Sequence, residues 1–222
     1  MARATRFPHY FDFNAVRVED DAELTVDAVV RFADEALAGL AHRRVDFEVV
    51  TAAEPLRAGF EALGWKATRL VWMLHSGQQP PDPEIVVEEV PYDAVRDLRV
   101  AWHLEDFPGQ DPTAHYDEAR EIALRRRAQV LAVLEDGAPV AFAELERHRD
   151  GAEITNVYVR PEYRGGGRGT ATTCAAIRAA ADARELWIIA DDEDRPKQLY
   201  ARLGFRAAWT AMEFLRLPAQ AR

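Results

Sequence analysis

The densest chemical signal in the chain is a cluster of glycines with one arginine: Gly165, Gly166, Gly167, Arg168 and Gly169. It follows an apolar run ending at Val159 and a turn imposed by Pro161. It precedes an alanine-rich stretch from Thr170 to Ala183 that reads as a helix. A chain that leaves a strand, opens on glycines and enters a helix turns successive backbone N–H groups inward. The new helix adds unpaired donors and the positive end of its dipole. Such a cradle suits a diphosphate, and the glycines let phosphate oxygens approach the backbone. Two better-known phosphate loops are excluded. A Walker loop needs a lysine between its last Gly and its Ser or Thr, and Gly169 meets Thr170 directly. A dinucleotide loop needs a third glycine where Thr170 stands.

The pattern present is Arg-x-x-Gly-x-Gly, carried by Arg164, Gly167 and Gly169, after Val159, Pro161 and Tyr163 in a Val-x-Pro-x-Tyr turn. Further on, Leu199, Tyr200, Gly204 and Phe205 spell Leu-Tyr-x-x-x-Gly-Phe. Together these resemble the acetyl-coenzyme A signature of the GNAT superfamily of N-acetyltransferases, and the resemblance extends over residues 84–217. It implies an α/β fold (α+β by some schemes), with a mixed central sheet flanked by helices over residues 84–222. Residues 1–80 resemble the later half of the same fold without the glycine loop, an incomplete half-domain in tandem with the catalytic one. The implied activity is transfer of an acetyl group from acetyl-CoA, as co-substrate, to a primary amine that attacks directly in a ternary complex. The alternative is a module that binds acyl-CoA without catalysis and serves assembly or sensing. Arg164, Gly165, Gly166, Gly167, Arg168, Gly169 and Thr170 would hold the diphosphate. The strand edge at Val157 and Val159 would pair with the pantetheine amides as an added strand does, and an N–H near Val159 would steady the thioester oxygen.

An attacking amine must be neutral, yet an alkyl ammonium has a pKa of about 10.4. A base is therefore expected, working directly or through water. Glu153 stands at the spacing before Arg164 where some GNAT members carry a catalytic glutamate. Glu144 and Glu146, which share a strand face, are rivals, or else hold a cationic substrate. The leaving thiolate needs a proton donor, and Tyr200 stands where the family places one. Trp102, Glu105 and Phe107 lie in the segment that walls the acceptor site in this fold, where carboxylates and aromatic faces suit a cationic amine. The same segment also reads, and more simply, as an acidic loop over buried aromatics. Two departures from the family stand out. Its frequent Asn before the last helix is replaced by Asp191, Asp192, Glu193 and Asp194. Arg160 and Arg168 compete as contacts for the ribose phosphate.

The remaining residues exclude other chemistry. Ser76 is the only serine and has no Gly-x-Ser-x-Gly around it. Lys66 and Lys197 are the only lysines, and the six histidines show no His-Glu-x-x-His spacing, so no metal is expected. Cys174, the single cysteine, excludes an intrachain disulfide and reads as a small core residue. The formal net charge of −10 argues against nucleic acid as a partner and favours neutral or cationic ones, here a small-molecule or peptide amine. Lacking a long apolar run or a leader pattern, the chain is expected in the cytoplasm and off the membrane. It is expected to form a homodimer, or to use residues 1–80 as an internal pseudo-partner.

These side chains must be positioned by the elements around them. Gly77 to Pro83, with prolines at 80, 81 and 83, is a seam that neither helix nor central strand crosses. Beyond it, Ile85–Val90, Val130–Leu134, Val140–Leu145, Ile154–Val159 and Leu186–Ala190 read as strands, with one or two more over Phe205–Leu217. Tyr92–Leu104, Tyr116–Arg127 and Pro196–Leu203 read as helices. Asp136-Gly137 is a hairpin signal. Before the seam, strand Val45–Val50, helix Pro55–Leu63, Gly64-Trp65 and strand Ala67–Leu74 echo the order around Gly204-Phe205.

Overall fold

The structure, a computed structural model, describes residues 1–20, 23–82 and 84–217. Pro83, the last residue of the proline seam, lies outside the described residues, as do residues 218–222. In chain order the elements are β1 (Ala2–Arg3), β2 (Asn14–Val18), α1 (Val26–Ala36), β3 (Arg43–Phe47), α2 (Val50–Ala53), α3 (Arg57–Ala62) and β4 (Lys66–His75). They continue as β5 (Glu88–Val90), α4 (Arg96–Asp106), α5 (Thr113–Arg126), β6 (Gln129–Glu135), β7 (Ala138–Arg147) and β8 (Ala152–Val159). The last are α6 (Arg168–Ala179), β9 (Leu186–Asp191), α7 (Pro196–Arg202) and β10 (Phe205–Arg216). Contacts divide the chain into two compact units. Unit 1 comprises 1–72, 190–194 and the chain from 208 onward; unit 2 comprises 73–189 and 195–207.

In unit 1 the strands run in the order β1-β2-β3-β10-β4. β2 and β3 are parallel, while β3 and β10 are antiparallel from Phe47↔Met212 to Arg43↔Arg216. Val45, Phe47, Met212 and Phe214 alternate onto one face. There they pack with Val29 and Ala33 of α1 and Phe60 of α3. Thr25 caps α1, its hydroxyl accepting from the Ala28 N–H at 3.3 Å. The expected strand at 45–50 is shorter, because Val49 and Val50 leave the sheet and open α2. The expected helix over 55–63 is a single 3₁₀ turn at Pro55 followed by α3.

Unit 2 holds a mixed sheet in the order β9-β8-β7-β6-β5. β8 and β9 are parallel and the other neighbours antiparallel. Asp136 and Gly137 both take positive φ, 51° and 78°, the backbone a tight two-residue hairpin between β6 and β7 demands. Phe142 and Tyr158 pack with Val95 and Leu98 beside α5's Tyr116 and Ala123. Ala141, one residue away and so on the opposite face, packs with Ala171 of α6. α4 and α5 therefore cover one face of this sheet and α6 the other. The segment Phe205–Leu217 forms one strand rather than two.

The corner that echoes between the two halves is present at both places. Gly64 and Gly204 follow α3 and α7 with φ of +77° and +94°, and each leads through an aromatic residue into a strand. Only glycine enters that left-handed region without cost, so the matching sequence reflects a matching turn.

Candidate functional site

The glycine cradle forms where β8 ends. Pro161 to Tyr163 make a 3₁₀ turn, Arg164 is extended, and Gly165 and Gly167 both take φ of +82°. Gly167 is the N-cap of α6, and the first intrahelical bond runs from the Ala171 N–H to the Gly167 carbonyl. The N–H groups of Arg168, Gly169 and Thr170 therefore have no partner within the helix. A side chain at Gly165 or Gly167 would be strained by the backbone itself, whereas a Cβ at Gly165 would point into open space. At Gly169 a Cβ would sit 3.4 Å from Val159 and 3.8 Å from Leu199, ordinary packing distances that bring β8, α6 and α7 together here. The backbone thus leaves helix-start donors beside a glycine turn that is open at Gly165, an arrangement that can receive an anion.

β8 shapes the rest. Its pairing with β9 covers Ala152 to Ile154, opposite Leu186 to Ile188. Against β7 the register breaks at Thr155, an extra residue between Leu145↔Ile154 and Glu144↔Asn156. Such a bulge bends a strand and re-aims the side chains beyond it. Thr155 to Val159, including Val157 and Val159, lie past the end of the β9 register, on the stretch that leads to the cradle.

The sequence-predicted residues fall into two groups. Tyr200 is on α7, beside Leu199, and is 5% exposed, with its ring 6.2 Å from Phe205. Glu153 sits in the paired part of β8, opposite Glu146 and Trp187 and 3.9 Å from the His148 imidazole. Six residues separate it from Val159, about 20 Å of strand. Glu144 is 2% exposed and accepts from Arg99 at 2.5 Å and from the Asn156 amide at 2.9 Å. Arg99 lies 4.0 Å over the Tyr92 ring. Glu146 is paired with Arg126 at 2.6 Å, and burial still raises its carboxyl.

The acceptor-wall residues are held by their neighbours. Trp102 stacks on Tyr158 at 5.8 Å, and Phe107 packs edge-on to His103 at 5.1 Å. Glu105 accepts from the Tyr158 hydroxyl and from Arg164 at 2.6 Å. Burial works to raise the Glu105 carboxyl, but those two donors outweigh it and hold it below the ordinary carboxylate range. Arg164 also donates to the Val159 carbonyl at 2.9 Å, tying the cradle's first residue to the strand and to α4. Arg168 is turned away to Glu135 at 2.5 Å. The acidic stretch before α7 is engaged within unit 1: Asp192 pairs with Arg69 at 2.9 Å and Glu193 with Arg57 at 3.0 Å. α7 starts on Arg195 with no side-chain cap. Cys174 is fully buried, and burial pushes its thiol up.

Arg99 and Asn156 did not stand out in the sequence. A signal for Arg99 was available: Glu144 shares a face with Phe142, and a carboxylate in a buried stripe requires a cation.

The segment that carries these residues has relatives among known proteins. Residues 97–205 match the family described as Acetyltransferase (GNAT) family. A mycothiol acetyltransferase of Nocardiopsis dassonvillei is 36% identical over 91 residues, covering 36% of this chain. The match spans 27% of that relative's length. A solved structure of a functionally unknown conserved protein from Staphylococcus epidermidis superposes with a TM-score of 0.68 at 16% identity, over 96% of this chain and 88% of that one. A tandem GNAT protein from the clavulanic acid biosynthesis pathway superposes with a TM-score of 0.54 at 14% identity, over 88% of this chain and 70% of that one. The two structures share the fold.

Proposed function

Because residues 97–205 of this chain are a GNAT acetyltransferase domain, we propose that the protein is an acetyl-CoA-dependent N-acetyltransferase acting on a primary amine of a small molecule or peptide. The observation that carries the reading is the cradle of Arg164 to Thr170, with two glycines at φ +82° and helix-start N–H groups left for a ligand. Acetyl-CoA supplies the activated acyl group when bound. The chain's own residues do the rest. Backbone N–H groups at Gly165 to Thr170 bind the diphosphate. Past the bulge, the β8 edge from Asn156 to Val159 aligns the pantetheine arm as an added strand. Tyr200 donates a proton to the departing sulfur while remaining neutral at physiological pH. Glu153, about 20 Å of strand from Val159, takes the proton of the incoming ammonium only over a chain of several waters along β8. The Arg99–Glu144–Asn156 group fixes the strand wall on the α4 side. The tandem arrangement, with residues 1–80 as a half-domain of the same kind, belongs to this proposal, as do a cytoplasmic setting and a homodimer.

Calorimetric titration with acetyl-CoA is expected to saturate at one site. Release of free thiol in the presence of an amine panel is expected to fall about 10²-fold or more in Tyr200→Phe, with acetyl-CoA affinity unchanged. Unchanged turnover in Tyr200→Phe would remove the acid assignment, and no saturation would remove the cradle. One observation favours the other reading, binding without transfer: Trp102, Glu105 and Phe107 are all engaged inside the protein. Saturable binding with transfer to no amine in the panel would establish it.

A further inference from the structure

Unit 1 carries a cavity that has no part in the chemistry above. Val45, Phe47, Met212 and Phe214 face its core, so the alternating positions Arg44, Asp46, Trp209 and Glu213 face the other way. On that second face, with Trp72 of β4, they line a cavity of about 230 Å³. Trp72 and Trp209 stack at 5.3 Å with their planes 13° apart, and Trp209 remains 43% exposed. The floor is charged. Arg44 pairs with Asp46 at 2.8 Å, with Glu213 at 2.9 Å, and with Asp12. One guanidinium thus answers three carboxylates. Glu48 adds a fourth at the cavity wall. Arg17, in register with Asp46, and Lys66, acting on Glu213, bring the cations to three. Once Glu213 is ionised, one carboxylate is in excess beside the stacked indoles, of which Trp209 is exposed.

We propose that this cavity binds a small organic cation, a primary or quaternary ammonium, seated against the Trp72 and Trp209 indoles with its charge toward Glu213, Asp46 and Glu48. Indole faces attract such ions, and an apolar shell on the cation suits the indole wall. An anion would meet the carboxylate excess with Arg44 already fully paired. A neutral ligand would leave that excess in place. The inference does not depend on acetyl transfer, since every residue it uses lies in unit 1 and outside the cradle.

Glu213 gives the site a pH signature. Burial pushes its carboxyl up to about 7, against the pull of Arg44 and Lys66 and with the push of Asp46 and Asp12. An arriving cation favours the ionised form, so binding releases a proton below about pH 7 and tightens as pH rises.

The test uses the full chain, titrated calorimetrically with choline and with its neutral isostere 3,3-dimethylbutan-1-ol. Saturable binding of choline is expected at about pH 8, weaker by up to about tenfold at about pH 6, with the alcohol at least about tenfold weaker than choline. Trp209→Ala, at an exposed position, is expected to lower choline affinity about tenfold while thermal unfolding stays cooperative. Glu48→Gln, also exposed, serves the same purpose should Trp209→Ala fail to fold. Absence of saturation, equal binding of the alcohol, or unchanged choline affinity in a folded variant would overturn the proposal. Acetyl-CoA titration of the same variants keeps this outcome separate from that of the cradle, which they leave intact.

Discussion

Three glutamates near the centre of unit 2 share a residue type and differ in what surrounds them. Glu144 is held by Arg99 and Asn156 in a nearly waterless place, Glu146 by Arg126, and Glu153 stands half-buried beside His148. A carboxylate locked to a buried guanidinium serves structure first, because removing it strands the cation. Glu144→Leu is expected to cost about 3 kcal/mol or more, since Arg99 would keep its charge at 10% exposure with its main partner gone. Glu153→Gln is expected to change stability by about 0.5 kcal/mol or less, as at an ordinary surface site. If Glu153 is the base, the same variant lowers kcat by about 10²-fold and flattens the acidic limb of the pH–rate profile. Urea unfolding and a pH–rate series on both variants check this. A stability loss in Glu153→Gln equal to that in Glu144→Leu would show that both are structural.

At the scale of elements, the site is a strand end, a glycine turn and a helix start, and each depends on backbone conformations that few residues adopt. Gly167→Val is expected to lower acetyl-CoA affinity at least about tenfold, because a branched residue is strained at φ +82° and the N-cap would have to rearrange. Cys174 deeper in α6 would stay in place, so circular dichroism should change little. Calorimetry and a far-UV spectrum measure the two sides, and native affinity in the variant would show that the cradle does not hold the ligand. What was legible in the sequence follows the same division. The cradle, the Asp136-Gly137 hairpin and the Gly64 and Gly204 corners could be read because positive φ selects glycine or its small polar substitutes. Their local chemistry dictates the residue. The Thr155 bulge and the end of the β8–β9 register could not be read, because β-branched and polar residues suit either a regular or a bulged strand. The attachment of Arg164 to Glu105 was hidden for another reason. It joins residues 59 apart in sequence, and an arginine beside glycines reads as a ligand contact. Trp102 and Phe107 carry two readings in the sequence, an acceptor wall and the buried aromatics of an acidic loop, and spacing alone does not choose between them. Their partners, Tyr158 and His103, come from tertiary packing that spacing does not encode.

At the scale of the whole molecule, each unit holds a buried group displaced far from its ordinary value, His103 downward and Glu213 upward, and the two act on stability with pH in opposite directions. In unit 2, His103 is 8% exposed, both its ring nitrogens lack a hydrogen-bond partner, and burial with help from His115 drives its pKa to about 4. Its folded value lies below the ordinary 6.5, so between about pH 4 and 6.5 the unfolded chain binds the extra proton. Stability from this group therefore rises with pH across that window, by at most about 3 kcal/mol. In unit 1, Glu213 is displaced the other way, from 4.5 to about 7. Between those values the folded state holds the extra proton, and stability from this group falls as pH rises, with a similar ceiling of about 3 kcal/mol. Removing each titration isolates its effect from the other ionisable groups. Relative to the unaltered protein, His103→Phe is expected to gain protection in α4 amides as pH is lowered from about 7 to 4.5. Glu213→Gln is expected to gain protection in β10 amides as pH is raised over the same interval. Native-state hydrogen exchange, corrected for intrinsic rates, reads the two units separately. A His103→Phe difference that does not change with pH would mean that the imidazole titrates normally. A Glu213→Gln difference that grows toward acid would mean that the pairing with Arg44 outweighs burial. The same carboxyl anchors the proposed cation site, so a bound ammonium at about pH 7 is expected to restore much of the β10 protection that ionisation of Glu213 removes.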